Sequence, residues 1–316
     1  MSRPAPPAPR RHLPVETRSR ILPVTLPSAP RQLSQARLRA YRAATFHLSR
    51  SLRVRTPRQA LSFVNERGFV FFWAIAGIDL PSLWAAVAGD RQVPREHDDP
   101  GHVTWGWKDA ALSQRRWFYA KLLRGKSTLV SLEALPYFYA LSERLGDLDD
   151  YELAYDAGRL SREARAVADA LHLNGAQHTV ALRQLTHLAS EASKPRFEKA
   201  LHDLQRGLWV VPVGVAEAGA WRYAFIYEIF DRWFPSIARQ ARDIPRDVAR
   251  RHLTKLYLDS VGAADVKQVR SVFGWSRHEV EQALQGLEHA GHALRLSDGR
   301  WVTARLWAHR PRRRGA

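Results

Sequence analysis

The chain has 316 residues, 45% hydrophobic and 25% charged, the balance of an ordinary globular protein long enough for two or three modules. It has no cysteine, which excludes a disulfide framework, a Cys-ligated zinc site and an iron–sulfur cluster. The formal net charge of +18 sits almost wholly at the two ends: residues 1–58 hold 13 arginines, no lysine and one acid, and residues 305–316 hold five arginines and no acid. Such ends suit a nucleic-acid-contacting arm or a solvating tail. No apolar run approaches the roughly 18 residues of a membrane span, and the N-terminus lacks a signal-peptide core, so the expectation is a cytoplasmic protein that avoids membranes.

Residues 1–32 are rich in proline and arginine and are expected to form a disordered basic arm. Apolar positions at Leu38, Tyr41, Phe46, Leu48 and Leu52 predict an imperfect amphipathic helix over 33–54. Thr56 then caps a helix that Pro57 opens and Gly68 stops. The apolar run from Phe69 to Trp73 reads as a buried strand or core segment. Residues 97–109, with Pro100, Gly101 and paired Asp98 and Asp99, read as a loop. The segment from Arg115 to Tyr119 reads as an amphipathic core helix or a strand-binding surface, with the first favoured. Residues 128–132 suggest a short strand and 137–145 a helix.

The next two stretches resemble each other. Ser161 caps a helix over 162–174, a second helix runs over 179–189, and a third opens at Pro195 and closes at Gly207. Two strands follow, 208–213 and 221–225. Downstream, helices over 246–260 and 264–273 precede a helix that Ser276 caps. Two short strands then flank Asp298-Gly299, a strong hairpin signal. Three helices followed by a hairpin is the order of a winged helix, and its recurrence argues against accident. The expected fold class is mainly α with small β-hairpin wings (α+β), built as tandem winged helix-turn-helix modules. The expected divisions are 33–158, an N-terminal module with an inserted loop; 159–240 and 241–304, two further winged helices; and 305–316, a basic tail.

In such modules the third helix enters the major groove. The first candidate recognition helix carries Arg196, Lys199, His202, Gln205 and Arg206, with Lys194 before it; the second carries Arg277, His278, Gln282, Gln285 and His289. These side chains suit phosphates and base edges, so double-stranded DNA is the expected partner. No long heptad run marks a dimer helix, and a monomer is expected.

Three stretches carry a resemblance to a known family. One runs from Phe197, Ala200, Leu201 and Leu204 through Gly207 into Trp209, Val210, Pro212 and Gly214. Another joins Trp221, Arg222, Tyr223 and Phe225 to Arg232, Trp233 and Pro235. The last holds Arg250, Arg251, Tyr257, Gly262, Phe273, Gly274, Trp275 and Leu284. With these the chain resembles the winged-helix DNA glycosylases of the AlkZ/YcaQ type over roughly residues 35–304. The resemblance implies three tandem winged helices, a concave DNA-binding face, and action on alkylated or crosslinked bases. It also implies a Gln-x-Gln or Gln-x-Asp motif just after a helix and a glycine. The matching place holds Phe71 and Trp73, and an aromatic ring neither orients nor deprotonates a water. This departure marks a divergent, AlkZ-related branch.

The 97–109 segment offers other chemistry. Asp98, Asp99 or Asp109 could activate a water, and Trp105 and Trp107 could stack on a displaced base. His97 and His102 with these acids match no standard metal spacing, and no metal or cofactor is expected. Three readings follow: a DNA-binding relative of repair glycosylases, an active base-excision enzyme using an acid of this segment, and a winged-helix transcription regulator.

Overall fold

A computed structural model describes residues 32–94, 99–219 and 222–308. The first helix, α1 (Gln35–Thr45), is followed by a unit made of α2 (Pro57–Arg67), β1 (Phe69–Phe71), α3 (Leu83–Ala88), α4 (Val103–Ser113), β2 (Phe118–Lys121) and β3 (Ser127–Val130). Two connecting helices, α5 (Leu135–Leu141) and α6 (Asp150–Asp156), lead to a second unit. It comprises α7 (Arg162–Asn174), β4 (Gln177–His178), α8 (Thr179–Leu185), α9 (Lys194–Arg206), β5 (Val210–Ala216) and β6 (Ala224–Ile229). Short helices α10 (Phe230–Trp233) and α11 (Ile237–Ala241) precede the third unit: α12 (Arg246–Val261), β7 (Ala263–Ala264), α13 (Val266–Phe273), α14 (Arg277–His289), β8 (Ala293–Arg295) and β9 (Trp301–Thr303). Helix α15 (Ala304–Ala308) ends the described chain.

Each unit repeats the order helix, strand, helix, helix, hairpin. Each closes a three-stranded antiparallel sheet in which the last strand lies between the other two: β1-β3-β2, β4-β6-β5 and β7-β9-β8. The expected succession of three helices and a hairpin is thus present in each of the three units.

Local chemistry accounts for the boundaries. Thr56 accepts a hydrogen bond from the Gln59 N–H at 3.2 Å, and Ser161 accepts one from Ala164 at 3.1 Å. Asp265 with Gln268, and Ser276 with Glu279, form reciprocal capping boxes on α13 and α14. In the β5–β6 pair the register shifts between Pro212 and Gly214, where Pro212 has no N–H for the ladder.

The three units share one core. Phe69 and Phe118 of the first, Leu208 and Val211 of the second, Phe230 just after it, and Leu253, Tyr257, Val280 and Trp301 of the third belong to a single buried cluster, with Phe138 and Tyr139 of α5 between them. Edge-on ring contacts, such as Phe69 with Phe138 at 5.4 Å and Phe118 with Phe230 at 5.9 Å, cross the seams. A buried ionic cluster adds to this. The Arg144 guanidinium meets Asp150 at 2.8 Å, pairs with Asp231, donates to the Leu208 carbonyl at 2.6 Å and lies over Trp209. Tyr139 donates to Asp231 at 2.7 Å.

Helix α1 packs mainly on the third unit, with Arg42 also pairing to Asp79 of the unit it precedes at 3.0 Å. Its side chains satisfy the open carbonyls at the end of α12: Tyr41 Oη donates to Asp259, Thr45 Oγ1 to Ser260 and Arg42 Nε to Val261, at 2.7, 2.6 and 2.9 Å. Gly262 has φ 82°, and a Cβ there would stand 2.8 Å from the Tyr41 ring, so a side chain at this position would push the two helices apart.

Several expectations are corrected. Residues 103–109 are not a loop but most of α4, entered through a 3-10 turn over Pro100–His102. The helix was hidden because its buried positions are Thr104, Lys108, Ala111 and Leu112, two of them polar, and because Gly106 interrupts it. The segment after Arg115 is the strand β2 rather than a helix; Arg115 has φ 51° and ends α4's turn. The helix over 179–189 stops at Leu185. Helix α6 was not anticipated, and 305–308, assigned to a basic tail, are helical. The arm over 1–31, residues 309–316, His97, Asp98 and Trp221 lie outside the described residues. Among the described residues no helix is long and apolar enough to cross a membrane.

Candidate active site between the first and second units

Helix α4 is the third helix of the first unit. One face of it lies against the second unit's hairpin, where Tyr223 and Phe225 stand at the start of β6. The Lys108 side chain points into that seam and is 0% exposed. Its Nζ donates to Asp109 Oδ1 at 2.5 Å and to Tyr223 Oη at 3.0 Å. Tyr223 Oη lies 3.0 and 3.2 Å from the two Asp109 carboxylate oxygens, to which its O–H donates. The three polar groups therefore form a closed triangle.

Five rings surround the ammonium. Their centroids stand at 4.4 Å (Phe225), 5.0 Å (Tyr119), 5.1 Å (Trp105), 5.7 Å (Tyr223) and 5.9 Å (Phe72). Burial pushes the Lys108 ammonium below its ordinary pKa; the bond to Asp109 and its charge oppose this, and the Lys121 charge adds to it. Burial and the Asp109 charge hold the Tyr223 phenol well above the usual range. Behind the cage, Tyr119 Oη donates to Ser127 Oγ at 3.1 Å, and the same oxygen takes a bond from Lys121 Nζ at 3.0 Å. Burial also lowers Lys121, helped by Lys126.

The cage opens at one side. Asp109 keeps 16% of its side chain exposed, and Trp105 and Tyr223 are 39% and 38% exposed. Trp105 stands edge-on to Tyr223 at 6.3 Å, and to Trp73 and Phe72 at 5.7 Å each. Thus, of the segment that the family resemblance aligns with a polar motif, Phe72 and Trp73 form the wall of this cluster, whereas Phe71 is buried in the core on the other face of the strand. The chemical capacity of the triangle is clear: a carboxylate at the surface, a cation fixed beside it, and an aromatic plane to stack on.

The other expected site residues are dispersed. Asp99 accepts from the Gly101 N–H and from Arg91, each at 2.7 Å, so it holds the turn that starts α4. Trp107 is half-buried against the first unit's own core. On α9, Lys194, Arg196, Lys199 and Arg206 are exposed, with Arg196 near Glu163 at 3.3 Å and Lys199 paired to Asp203. His202 and Gln205 meet the first unit's hairpin, the first partly exposed and the second buried. The His202 ring fills the space above Gly125, and Gln205 is buried, its Oε1 accepting from the Lys121 N–H at 3.1 Å. On α14, Arg277, His278, Gln282 and Gln285 are exposed; the last two line a groove of about 300 Å³ with Arg250 and Arg251 of α12. Among the described residues no group of three His, Asp or Glu side chains could hold a metal ion.

Lys108 and Tyr223 received no role from the sequence. The signal that could have found the lysine is composition: the chain has seven lysines against 42 arginines, and Lys108 is the buried one of the seven. The pairing with Tyr223, 115 positions away, leaves no trace in local pattern.

Fold and site together define a protein of three fused winged-helix-ordered units with a lysine–aspartate–tyrosine cluster at the seam between two of them. The chain belongs to the AlkZ-related family, whose model matches residues 54–274. Among solved structures it is similar to the Streptomyces sahachiroi DNA glycosylase AlkZ, with a TM-score of 0.55, at 13% identity over 89% of this chain and 74% of that one. Among curated proteins none matches it in sequence.

Proposed function

We propose that the protein binds duplex DNA and removes damaged bases by hydrolysis at the Asp109 cluster. The observation that carries this reading is the position of Asp109: a carboxylate at the surface, held by Lys108 and Tyr223, beside the exposed ring of Trp105. A displaced base stacks on Trp105. Asp109 takes a proton from water, the water oxygen bonds to the sugar C1′, and the C1′–N bond breaks with its electron pair leaving on the base. Lys108 and Tyr223 fix the carboxylate's orientation throughout. The exposed cations of α9 and the exposed amides and cations of α14 supply phosphate and base-edge contacts on either side. The family resemblance supports DNA as the partner and alkylated or crosslinked bases as the lesion. The aromatic residues at Phe71 and Trp73 move the water-activating role from that strand to the helix packed against it.

The test is incubation with an alkylated duplex, followed by alkaline cleavage at abasic sites. Wild type and Asp99→Asn release bases, whereas Asp109→Asn does not. Equal release by wild type and Asp109→Asn removes Asp109 from the mechanism. Sequence-specific binding to one undamaged site, without release, favours a regulator instead.

A further inference from the structure

Asp109 and Tyr223 account for orientation and proton transfer, but hydrolysis does not require a lysine amine to be buried beside them. Burying an ammonium is costly, and a chain that uses arginine six times as often as lysine has placed here its less fixed cation, the one that gives up a proton most readily when desolvated. An arginine would hold Asp109 equally well, with a planar fork suited to a carboxylate. What lysine adds is a primary amine that becomes a nucleophile once deprotonated.

We propose that Lys108 is an amine nucleophile that captures the abasic sugar left after base removal and makes the protein a DNA lyase as well. The inference rests on the reading that DNA occupies this site. Nζ lies 2.5 Å from Asp109 Oδ1, which takes the amine's proton, in a site with no exposed surface, where desolvation favours the uncharged amine. The ring-opened abasic sugar presents an aldehyde at C1′. The amine's lone pair forms the N–C1′ bond to give a carbinolamine; Asp109 returns its proton to the carbinolamine hydroxyl, which leaves as water, giving the iminium and restoring the carboxylate. Asp109 then accepts the C2′ proton. The C2′–H electrons form the C2′–C3′ double bond as the C3′–O bond breaks, and the 3′ phosphate leaves with that electron pair. Water finally hydrolyses the imine and restores the free amine. No oxidant or reductant is consumed. Tyr223 is the polar partner supplied by the second unit and stands between Nζ and the surface.

The deciding experiment uses the full chain and a duplex carrying a preformed abasic site, so that it does not depend on base excision. Sodium borohydride reduces any imine to a stable secondary amine, which a denaturing gel reads as a crosslink. Wild type is expected to crosslink and, without borohydride, to nick the strand 3′ to the site. Lys108→Met lowers the yield at least about a hundredfold, whereas Lys121→Met leaves it unchanged. Peptide mapping of the wild-type crosslink needs no variant, and attachment at Lys108 is the expected result. Attachment at any other amine overturns the proposal. So does the absence of crosslink from wild type that still shifts the same abasic duplex on a native gel. A protein that excises bases yet does not crosslink refutes the lyase step alone; one that crosslinks at Lys108 yet does not excise refutes the hydrolysis reading alone.

Discussion

Tyr223 Oη accepts a hydrogen bond from Lys108 Nζ at 3.0 Å across 115 positions of sequence. The contact ties the second unit's hairpin to the third helix of the first unit, so that helix is packed against protein on this face. Tyr223→Phe removes the acceptor for Lys108 and the donor to Asp109 while keeping the ring. It is expected to lower stability by about 1–2 kcal/mol, measured as a reduced urea midpoint with an unchanged slope.

Asp109→Asn replaces the partner of a wholly buried cation with a neutral amide. Excision of alkylated bases should fall about a hundredfold to ten-thousandfold in single-turnover assays. Asp99→Asn retains the side-chain oxygen that accepts from Gly101 and gives up only an exposed pair with Arg91, so its rate should match wild type.

Arg144 joins the connection between the first two units to Asp150, Asp231 and the Leu208 carbonyl with 1% of its side chain exposed. Arg144→Met leaves two buried carboxylates without their cation and should cost roughly 3–5 kcal/mol, read from equilibrium unfolding. Retention of wild-type stability would show that solvent reaches the cluster.

Lys194, Arg196, Lys199 and Arg206 are exposed along α9. Replacing all four with Ala should reduce the slope of log affinity against log salt by about 3.6, since each neutralised phosphate contributes about 0.9. Gln282→Ala with Gln285→Ala on α14 should weaken binding without altering that slope, because amides release no counterions. An unchanged slope in the fourfold variant would place the duplex elsewhere.

The His252 ring stacks on Tyr137 at 3.7 Å and 10°, and burial, followed by the Lys255 charge, lowers its pKa. His47, packed at 4.8 Å from Phe63, is lowered by burial as well. The unfolded chain therefore binds these protons first on acidification. Stability from the neutral rings is present above the ordinary imidazole value of about 6.5 and lost as pH drops below it. The melting temperature should fall between about pH 7.5 and about pH 5.5, and His252→Phe should flatten that fall.

The repeated architecture was legible wherever caps and periodicity agreed. Thr56, Pro57 and Gly68 bounded α2, and Ser161 and Ser276 opened α7 and α14. It failed at α4, where the inward stripe contains Thr104 and Lys108 and so reads as polar. The same failure concealed the site. An acid in the segment was recognised, but the lysine one position before it acquires meaning only when the helix turns it inward against Phe225. Likewise α9 reads as one solvated face, yet Gln205 and His202 are spent on the first unit's hairpin. Pairings between distant segments have no local signature.

The clasp formed by α1 bears on how the chain is made. Arg37 reaches the carbonyls of Leu306 and Trp307, at 2.6 and 3.0 Å, 269 and 270 positions away. On the ribosome, α1 emerges long before α12 and α15, the elements it docks on. Until then Leu38 and Tyr41 have nothing to cover them, and the final strands must wait for a helix made long before. Contacts this distant in sequence carry a large loop-closure cost, so the α1 clasp is expected to form late in folding.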